Sequence, residues 1–149
     1  MIADHATAAS IWAKRMGYGG LIPFVTLALA VFVADPARHA LLGLALLAYG
    51  ATIASFLGAI HWGLVMAKAS EPSLFSLGWG VTPSLVAWGA LMAGPGVGLL
   101  LIAGLLWACF AIDRVLYSRY EVQEWLPMRL VLTFVASACC IAGALGVSR

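Results

Sequence analysis

His61 is the side chain of this sequence whose type and setting most directly indicate chemistry. It lies in residues 55–63, SFLGAIHWG, late in an apolar run that extends over residues 40–67. An ionisable side chain inside a run of membrane-spanning length is expensive to bury, and by default it is a candidate functional site. What His61 does therefore depends on the groups that meet it.

Two interpretations of His61 follow from its setting. In the first, it is a buried structural imidazole that donates one hydrogen bond to a backbone carbonyl, a serine or Asp113. In the second, it lies in a polar pocket at the inner membrane interface and binds a quinone carbonyl, a lipid headgroup or a partner subunit. A haem or zinc site is disfavoured, because no other predicted span carries a histidine and His5 and His39 are far from His61 in the chain.

The first expected partner of His61 is a backbone carbonyl. Pro83 lies inside an apolar run and frees a carbonyl near Trp79, since proline has no N–H to donate to it. The hydroxyls of Thr82 and Ser84 come next in order. All of these groups are expected in the same membrane leaflet as the imidazole.

Asp113 is the third expected partner, and it is followed directly by Arg114. A charged pair at a helix end is typical of the point where the membrane ends, with the arginine snorkelling toward water. In the alternative interpretation, Asp113 turns inward and orients His61 or Arg129. The candidate polar or ligand pocket of the sequence comprises His61, Trp62, Trp79, Thr82, Pro83, Asp113 and Arg114.

His61 shares a helix face with small residues. At about 100° per residue, one arc of about 80° contains Ala51, Ala54, Gly58, His61 and Val65. Gly50, Ala54 and Gly58 form a small-xxx-small series, which allows another helix to approach closely. His61 is therefore predicted to face protein. Trp62 points about 100° away, either as an interfacial anchor or as one wall of the pocket.

The composition places the chain in a membrane. Of its 149 residues, 64% are hydrophobic and 9% are charged, and the mean hydropathy is +1.03. Soluble domains carry roughly 25% charged residues. A formal charge of +2 without a basic stripe argues against nucleic acid as a partner.

Cys109, Cys139 and Cys140 lie in apolar runs without a CxxC motif, so we interpret them as small apolar core residues.

Five apolar runs predict an all-α polytopic membrane protein, a bundle of five transmembrane helices. A polar lead over residues 1–16 precedes a domain over 17–146, whose predicted spans cover about 17–34, 40–67, 74–93, 97–116 and 127–146. Breaks are expected near 35–36, 70–72, 94–96 and 117–126, where proline, glycine or charged residues interrupt the runs. A basic lead before an apolar run is also typical of a signal peptide, here with a cleavage site at residues 28–30.

The basic residues predict an orientation. An odd number of spans puts the termini on opposite sides, and the positive-inside rule selects between the two topologies. With the N-terminus inside, the inner side holds Lys14, Arg15, Lys68, Arg114, Arg119 and Arg129, and the outer side holds Arg38 and Arg149. We therefore expect a cytoplasmic N-terminus and a periplasmic C-terminus. This orientation gathers His61, Trp79, Pro83 and Asp113 in the inner leaflet.

The same residues carry a family resemblance. Residues 21–24 (LIPF), residues 55–63, Pro83 with Trp88, and the Asp113–Arg114 pair resemble the transmembrane protein 69 family. The likeness covers roughly residues 17–146, and the G-x-x-H-W-G pattern of residues 58–63 is its most specific part. The resemblance implies a bacterial inner membrane, or the mitochondrial inner membrane for eukaryotic members. The bacterial members carry a domain of unknown function, so the resemblance implies no reaction, substrate or cofactor.

Two functions from different classes follow. The first is a structural or accessory subunit of a respiratory or other energy-conserving membrane complex, which fits the small size and the few ionisable residues. The second is a quinone or lipid site at the inner leaflet around His61. An enzyme is disfavoured, because no nucleophile–base pair and no paired carboxylates are recognisable. The expected partners are the lipid bilayer and other membrane protein subunits, and no cofactor is evident beyond a quinone or lipid.

Overall fold

The computed structural model describes residues 2–67 and 73–149, with side chains from residue 11 onward, and in these residues it contains helices and turns but no strand. The helices are α1 (Ile2–Gly19), α2 (Leu21–Val33), α3 (His39–Ala67), α4 (Leu74–Met92), α5 (Pro95–Arg119) and α6 (Leu126–Val147). Short 3₁₀ turns, Pro36–Arg38 and Gln123–Trp125, precede α3 and α6. The all-α prediction is confirmed.

Five segments of the described chain are long and apolar enough to cross a membrane: Ile11–Val33, Pro36–Ala67, Leu74–Met92, Pro95–Arg119 and Gln123–Val147. The predicted bundle of five transmembrane helices is therefore confirmed. The second segment is the longest. Its helix α3 has 29 residues and is roughly 44 Å long, so it must tilt in, or project beyond, a hydrocarbon core of about 30 Å.

The N-terminal segment is helical and continues into the first span. Residues 2–19 are helical, and α1 runs almost directly into α2, because the Gly20 N–H bonds to the carbonyls of Met16 and Gly17, both at 3.1 Å. Within the described side chains, the first membrane-length segment covers Ile11–Val33. Several alanines and few helix breakers explain why the lead is helical.

The breaks between helices follow from turn chemistry. The Asp35 carboxylate accepts a hydrogen bond from the Ala37 N–H at 2.9 Å, and Gly94 has a φ of +80° directly before Pro95 at the start of α5. The predicted break near residues 70–72 lies outside the described residues. Between α5 and α6 the break is shorter than expected, because α5 extends to Arg119 and contains Tyr117.

Helix α3 is the centre of the bundle, since it packs against α2, α4, α5 and α6. The core contains large aliphatic and aromatic side chains from three helices, α2, α3 and α5: Phe24, Leu46, Leu47, Leu99, Ile102 and Leu106. The outer faces are apolar as well, as Phe56 and Phe134 illustrate with 63% exposure each. An apolar exterior around an apolar core is the arrangement expected where the solvent is lipid.

Gly58 sits at the closest approach of α3 and α4. A Cβ atom at Gly58 would collide with the carbonyl oxygen of Gly80 and would lie 3.3 Å from Cδ of Pro83. Gly50 faces Ile102 of α5 instead, and Ala54 is fully buried. The small residues of α3 thus serve contacts with two different neighbours, and α4 depends on the absence of a side chain at Gly58.

The close approach gives a first prediction. Gly58→Ala should lower the stability of the protein by about 1–3 kcal/mol, because the added methyl group must push α4 away. The measurement is thermal unfolding in mild detergent. Gly63→Ala is the matched control on the same helix, since a Cβ there meets nothing within 4 Å. Equal tolerance of the two substitutions would mean that α3 and α4 do not touch at this point.

Candidate functional site

A buried cluster of three ionisable side chains joins α3, α5 and α6. Oδ1 of Asp113 accepts a hydrogen bond from Nε2 of His61 at 3.0 Å. Oδ2 of Asp113 accepts from Nε and Nη2 of Arg129, at 2.8 Å and 2.5 Å. The residues are 1%, 2% and 6% exposed for His61, Asp113 and Arg129, so the whole cluster is removed from the surroundings of the bundle.

Helix geometry brings these side chains together. His61 lies six residues before the end of α3, and Asp113 lies six residues before the end of α5. The chain then reverses through residues 120–125, so the first turn of α6 returns Arg129 to the level of Asp113. The cluster therefore sits near the end of the bundle that these three helix termini share.

The electrostatics of the cluster are dominated by Asp113 and Arg129. An unpaired charge in a low-dielectric interior carries a penalty of several kcal/mol, which a geometrically well-formed ion pair offsets. The Asp113 carboxylate can only accept, so Nε2 of His61 carries the donated hydrogen. Nδ1 of His61 is buried and has no hydrogen-bond partner among the described residues.

The order of partners expected for His61 is wrong. Among the described residues the imidazole has no partner besides Asp113, because Nδ1 makes no hydrogen bond. The Thr82 hydroxyl donates instead to the Gly78 carbonyl of its own helix at 3.0 Å. The partner is Asp113, the third candidate. Asp113 also does not mark the end of a helix, since α5 continues to residue 119.

The remaining candidates lie in other places. Trp62 is 39% exposed, and its Nε1 donates to the carbonyl of Leu77 at 3.0 Å, so it fastens α3 to α4. Pro83 is buried in the same α3–α4 interface. Trp79 is half-buried on α4, with Nε1 unpartnered among the described residues. These three residues make no hydrogen bond to the cluster within the described chain.

Arg114 does not belong to the cluster either. It is exposed and lines a shallow groove on the outer face of α5 and α6, together with Trp107, Phe110 and Pro127. Its neighbour Asp113 lies about 100° around α5 and is buried in the bundle. The two adjacent charged residues therefore lie on different faces of α5, Asp113 inside the bundle and Arg114 on its exterior.

A cavity of about 540 Å³ adjoins the cluster. It lies between α1, α2, α3, α5 and α6, and its walls are largely aliphatic and aromatic. Arg129, Thr133 and Tyr117 are the polar side chains of the wall. Thr133 is only 2% exposed, and its Oγ1 has no hydrogen-bond partner among the described residues.

The wall residues link the cavity to the cluster. Arg129 belongs to both, and the Tyr117 ring has its centroid 6.3 Å from that of His61. The Phe24, Phe56 and Trp125 rings complete the aromatic part of the wall. His61 itself does not line the cavity, and it is connected to the wall through Asp113 and Arg129 and through the Tyr117 ring.

The sequence-based site omitted Arg129, Thr133 and Tyr117. The positions of Arg129 and Thr133 could have been predicted from the spacing of small and polar residues along α6. The buried residues of this helix include Arg129, Thr133, Ala136, Cys140 and Gly143, which follow one another at intervals of four and three. This is the interval of one helix face, so Arg129 could have been placed inside the bundle from the pattern.

The fold and the cluster define a multi-pass helical membrane protein with a buried Asp–Arg–His network. The chain belongs to the family described as "Protein of unknown function (DUF3429)", whose model matches residues 9–145. The predicted resemblance to the transmembrane protein 69 family is thereby confirmed, because two relatives carry that name.

The first relative, from Xenopus tropicalis, is 35% identical over 130 residues, which cover 83% of this chain and 50% of that protein. The second, from Mus musculus, is 28% identical over 120 residues, which cover 78% of this chain and 49% of that protein. The chain therefore spans about half the length of these relatives. No solved structure matches it.

The second prediction tests the ion pair. Asp113→Asn should lower the stability by about 3–5 kcal/mol, because Arg129 then remains buried without a counter-charge. The measurement is again thermal unfolding in detergent. Arg114→Gln, one residue along the chain, should change stability by no more than about 0.5 kcal/mol, since Arg114 is exposed.

A double variant separates pairing from packing. Asp113→Leu combined with Arg129→Met removes both charges and keeps apolar bulk, so it should be more stable than Asp113→Asn. If the double variant is as unstable as the single one, the loss arises from shape and not from the unpaired charge.

Proposed function

We propose that this membrane protein binds a lipophilic small molecule, an isoprenoid quinone or a membrane lipid, in the cavity beside the cluster. The polar end of the ligand lies against Arg129 and Thr133. The observation that supports the proposal is the pair Arg129 and Thr133 in the wall of a cavity of about 540 Å³, where Oγ1 of Thr133 is buried without a partner among the described residues. A buried hydroxyl without a partner costs about 1–3 kcal/mol, and a ligand acceptor would remove that penalty.

The size and lining of the cavity also support binding. Sites for small molecules typically have volumes of about 300–1,000 Å³ and mostly apolar walls with a few well-placed polar groups. The cavity meets both criteria, and its polar groups are gathered on α5 and α6. A ligand with one polar end and an apolar body fits this distribution.

The route of entry is from the bilayer. Met16 of α1 and Phe56 of α3 border the cavity and are 76% and 63% exposed on the outer face of the bundle. A molecule dissolved in the hydrocarbon can therefore reach the space between α1 and α3 without crossing water. A water-soluble ligand has no comparable advantage.

In this proposal His61 is a positioning residue. It holds Oδ1 of Asp113, and Asp113 holds Arg129 at the cavity wall. In place of the pocket expected around His61, Trp62 and Trp79, the proposal uses the cavity that Arg129 lines. Binding needs no nucleophile, in keeping with the absence of a recognisable catalytic pair in the sequence.

The third prediction tests occupancy of the cavity. Protein purified from its own membranes in mild detergent should retain a lipophilic molecule, detectable by native mass spectrometry and by extraction with organic solvent. Leu132→Trp should abolish retention, because Leu132 lines the cavity and the larger indole fills it.

Phe134→Trp is the matched control, since Phe134 lies two residues further on α6 and faces outward with 63% exposure. Loss of the molecule from both variants, or from neither, would contradict the proposal. If a stable partner protein is retained in place of a small molecule, the accessory-subunit hypothesis of the sequence is favoured.

We further propose that the protein resides in a bacterial inner membrane with its N-terminus in the cytoplasm. Five spans and the charge distribution support this orientation. Arg129 is buried, so it no longer counts among the basic residues on the cytoplasmic side. Lys68 lies outside the described residues. Lys14, Arg15, Arg114 and Arg119 still outnumber Arg38 and Arg149.

The fourth prediction concerns this orientation. Reporter fusions at Arg38 and at Gln123 should report opposite sides of the membrane, with Gln123 on the cytoplasmic side. An alkaline phosphatase fusion should be active at Arg38, and a green fluorescent protein fusion should be fluorescent at Gln123. The reverse result would invert the orientation, and the same side for both would remove the five-span topology.

A further inference from the structure

We infer that the ligand of the cavity carries an uncharged head group with a hydrogen-bond-accepting carbonyl, as an isoprenoid quinone does, and not a phosphate or carboxylate. The inference rests on the proposed function, and it narrows the ligand from lipophilic molecules in general to neutral ones. Three observations on the cavity wall carry it: the charge balance, the hydrogen-bonding types and the aromatic rings.

The charge of the cavity wall is already balanced. Arg129 is the one cation among the described lining residues, and Asp113 accepts from its Nε at 2.8 Å. An anionic head group at Arg129 would place a second negative charge close to Asp113 in a low-dielectric interior. Like charges brought together at such a site repel strongly, so a phosphate or carboxylate is disfavoured.

Lys14 does not change this balance. Its Nζ lies 5.8 Å from the centroid of the Trp125 ring, at the edge of the cavity, but Lys14 is exposed and does not line the space. The buried end of the cavity therefore offers no uncompensated cation among its described residues.

The hydrogen-bonding groups favour an acceptor. Arg129 can only donate, and its guanidinium carries N–H groups beyond the two that point to Asp113. The Thr133 hydroxyl is able to donate and has no partner among the described residues. A carbonyl oxygen satisfies both side chains at once, whereas an ammonium or amide N–H meets only Thr133.

The rings of the wall favour a flat head group. Phe24, Tyr117 and Trp125 line the cavity from α2, α5 and the turn before α6. Aromatic side chains pack well against a planar conjugated ring in offset or edge-to-face arrangements. The aliphatic remainder of the wall leads toward the outer face at Phe56, where an isoprenoid tail would continue into the bilayer.

The fifth prediction compares head groups on one tail. Purified full-length protein is titrated with decylubiquinone, decyl phosphate or decanoate, and the rise in Tm is recorded, since a ligand that binds the folded state stabilises it. Decylubiquinone should raise Tm saturably, and the two anionic probes should not. The rise should be lost in Leu132→Trp and kept in Phe134→Trp.

Thr133 variants test the hydrogen bond itself. Thr133→Val keeps the shape of the side chain and should move the midpoint of the decylubiquinone titration roughly five- to tenfold upward, the equivalent of one hydrogen bond. Thr133→Ser retains the hydroxyl and should leave the midpoint close to wild type. Unliganded Tm values of the two variants show whether each is folded.

The outcomes separate this inference from the proposed function. Saturable stabilisation by decyl phosphate or decanoate but not by decylubiquinone overturns the neutral head group and leaves a lipophilic-ligand site standing. An unchanged midpoint in Thr133→Val overturns the role of Thr133 in holding the carbonyl. If no probe stabilises the wild type more than Leu132→Trp, the proposed function and this inference both fail.

Discussion

A carboxylate and a guanidinium buried in a membrane protein must be paired, and the arrangement of α3, α5 and α6 depends on this requirement. Asp113 bonds to Arg129 through one oxygen and to His61 through the other. A sliding or rotation of any of these helices would leave at least one charged or polar group without its partner, at a penalty of several kcal/mol. The three helices are therefore held in one register by polar contacts as well as by packing.

The same pair makes it feasible for an arginine to line an apolar cavity. Because Asp113 balances its charge, Arg129 can face a space whose other walls are aliphatic and aromatic. The ion pair as a whole has no net charge, yet the guanidinium still offers hydrogen-bond donors. Gly58 contributes indirectly, since its contact with Gly80 keeps α4 close to one side of α3. The opposite side of α3 is left to border the cavity through Phe56.

The helices could be predicted because their signals are local. Run length, proline and glycine determine where α4 and α5 begin, as Gly94 and Pro95 illustrate. The inward direction of His61 also followed from its own helix, where small residues share its face. The partner of His61 did not follow, because the expected order favoured carbonyls near Pro83 and judged Asp113 by its charged neighbour Arg114. Asp113 belongs to the buried face of α5, together with Leu106, Cys109 and Leu116, and it therefore points toward His61.

The amino-acid sequence was enough to predict an all-α membrane protein, a series of small residues along α3 and the direction of His61 toward protein. These properties depend on hydrophobicity and helical period, which act within a single segment. The pairing of Arg129 with Asp113 and the position of Thr133 at a cavity became known from the folded structure. Those contacts join residues of different helices, and their geometry depends on how the helices cross and how far each one extends, which no single segment encodes.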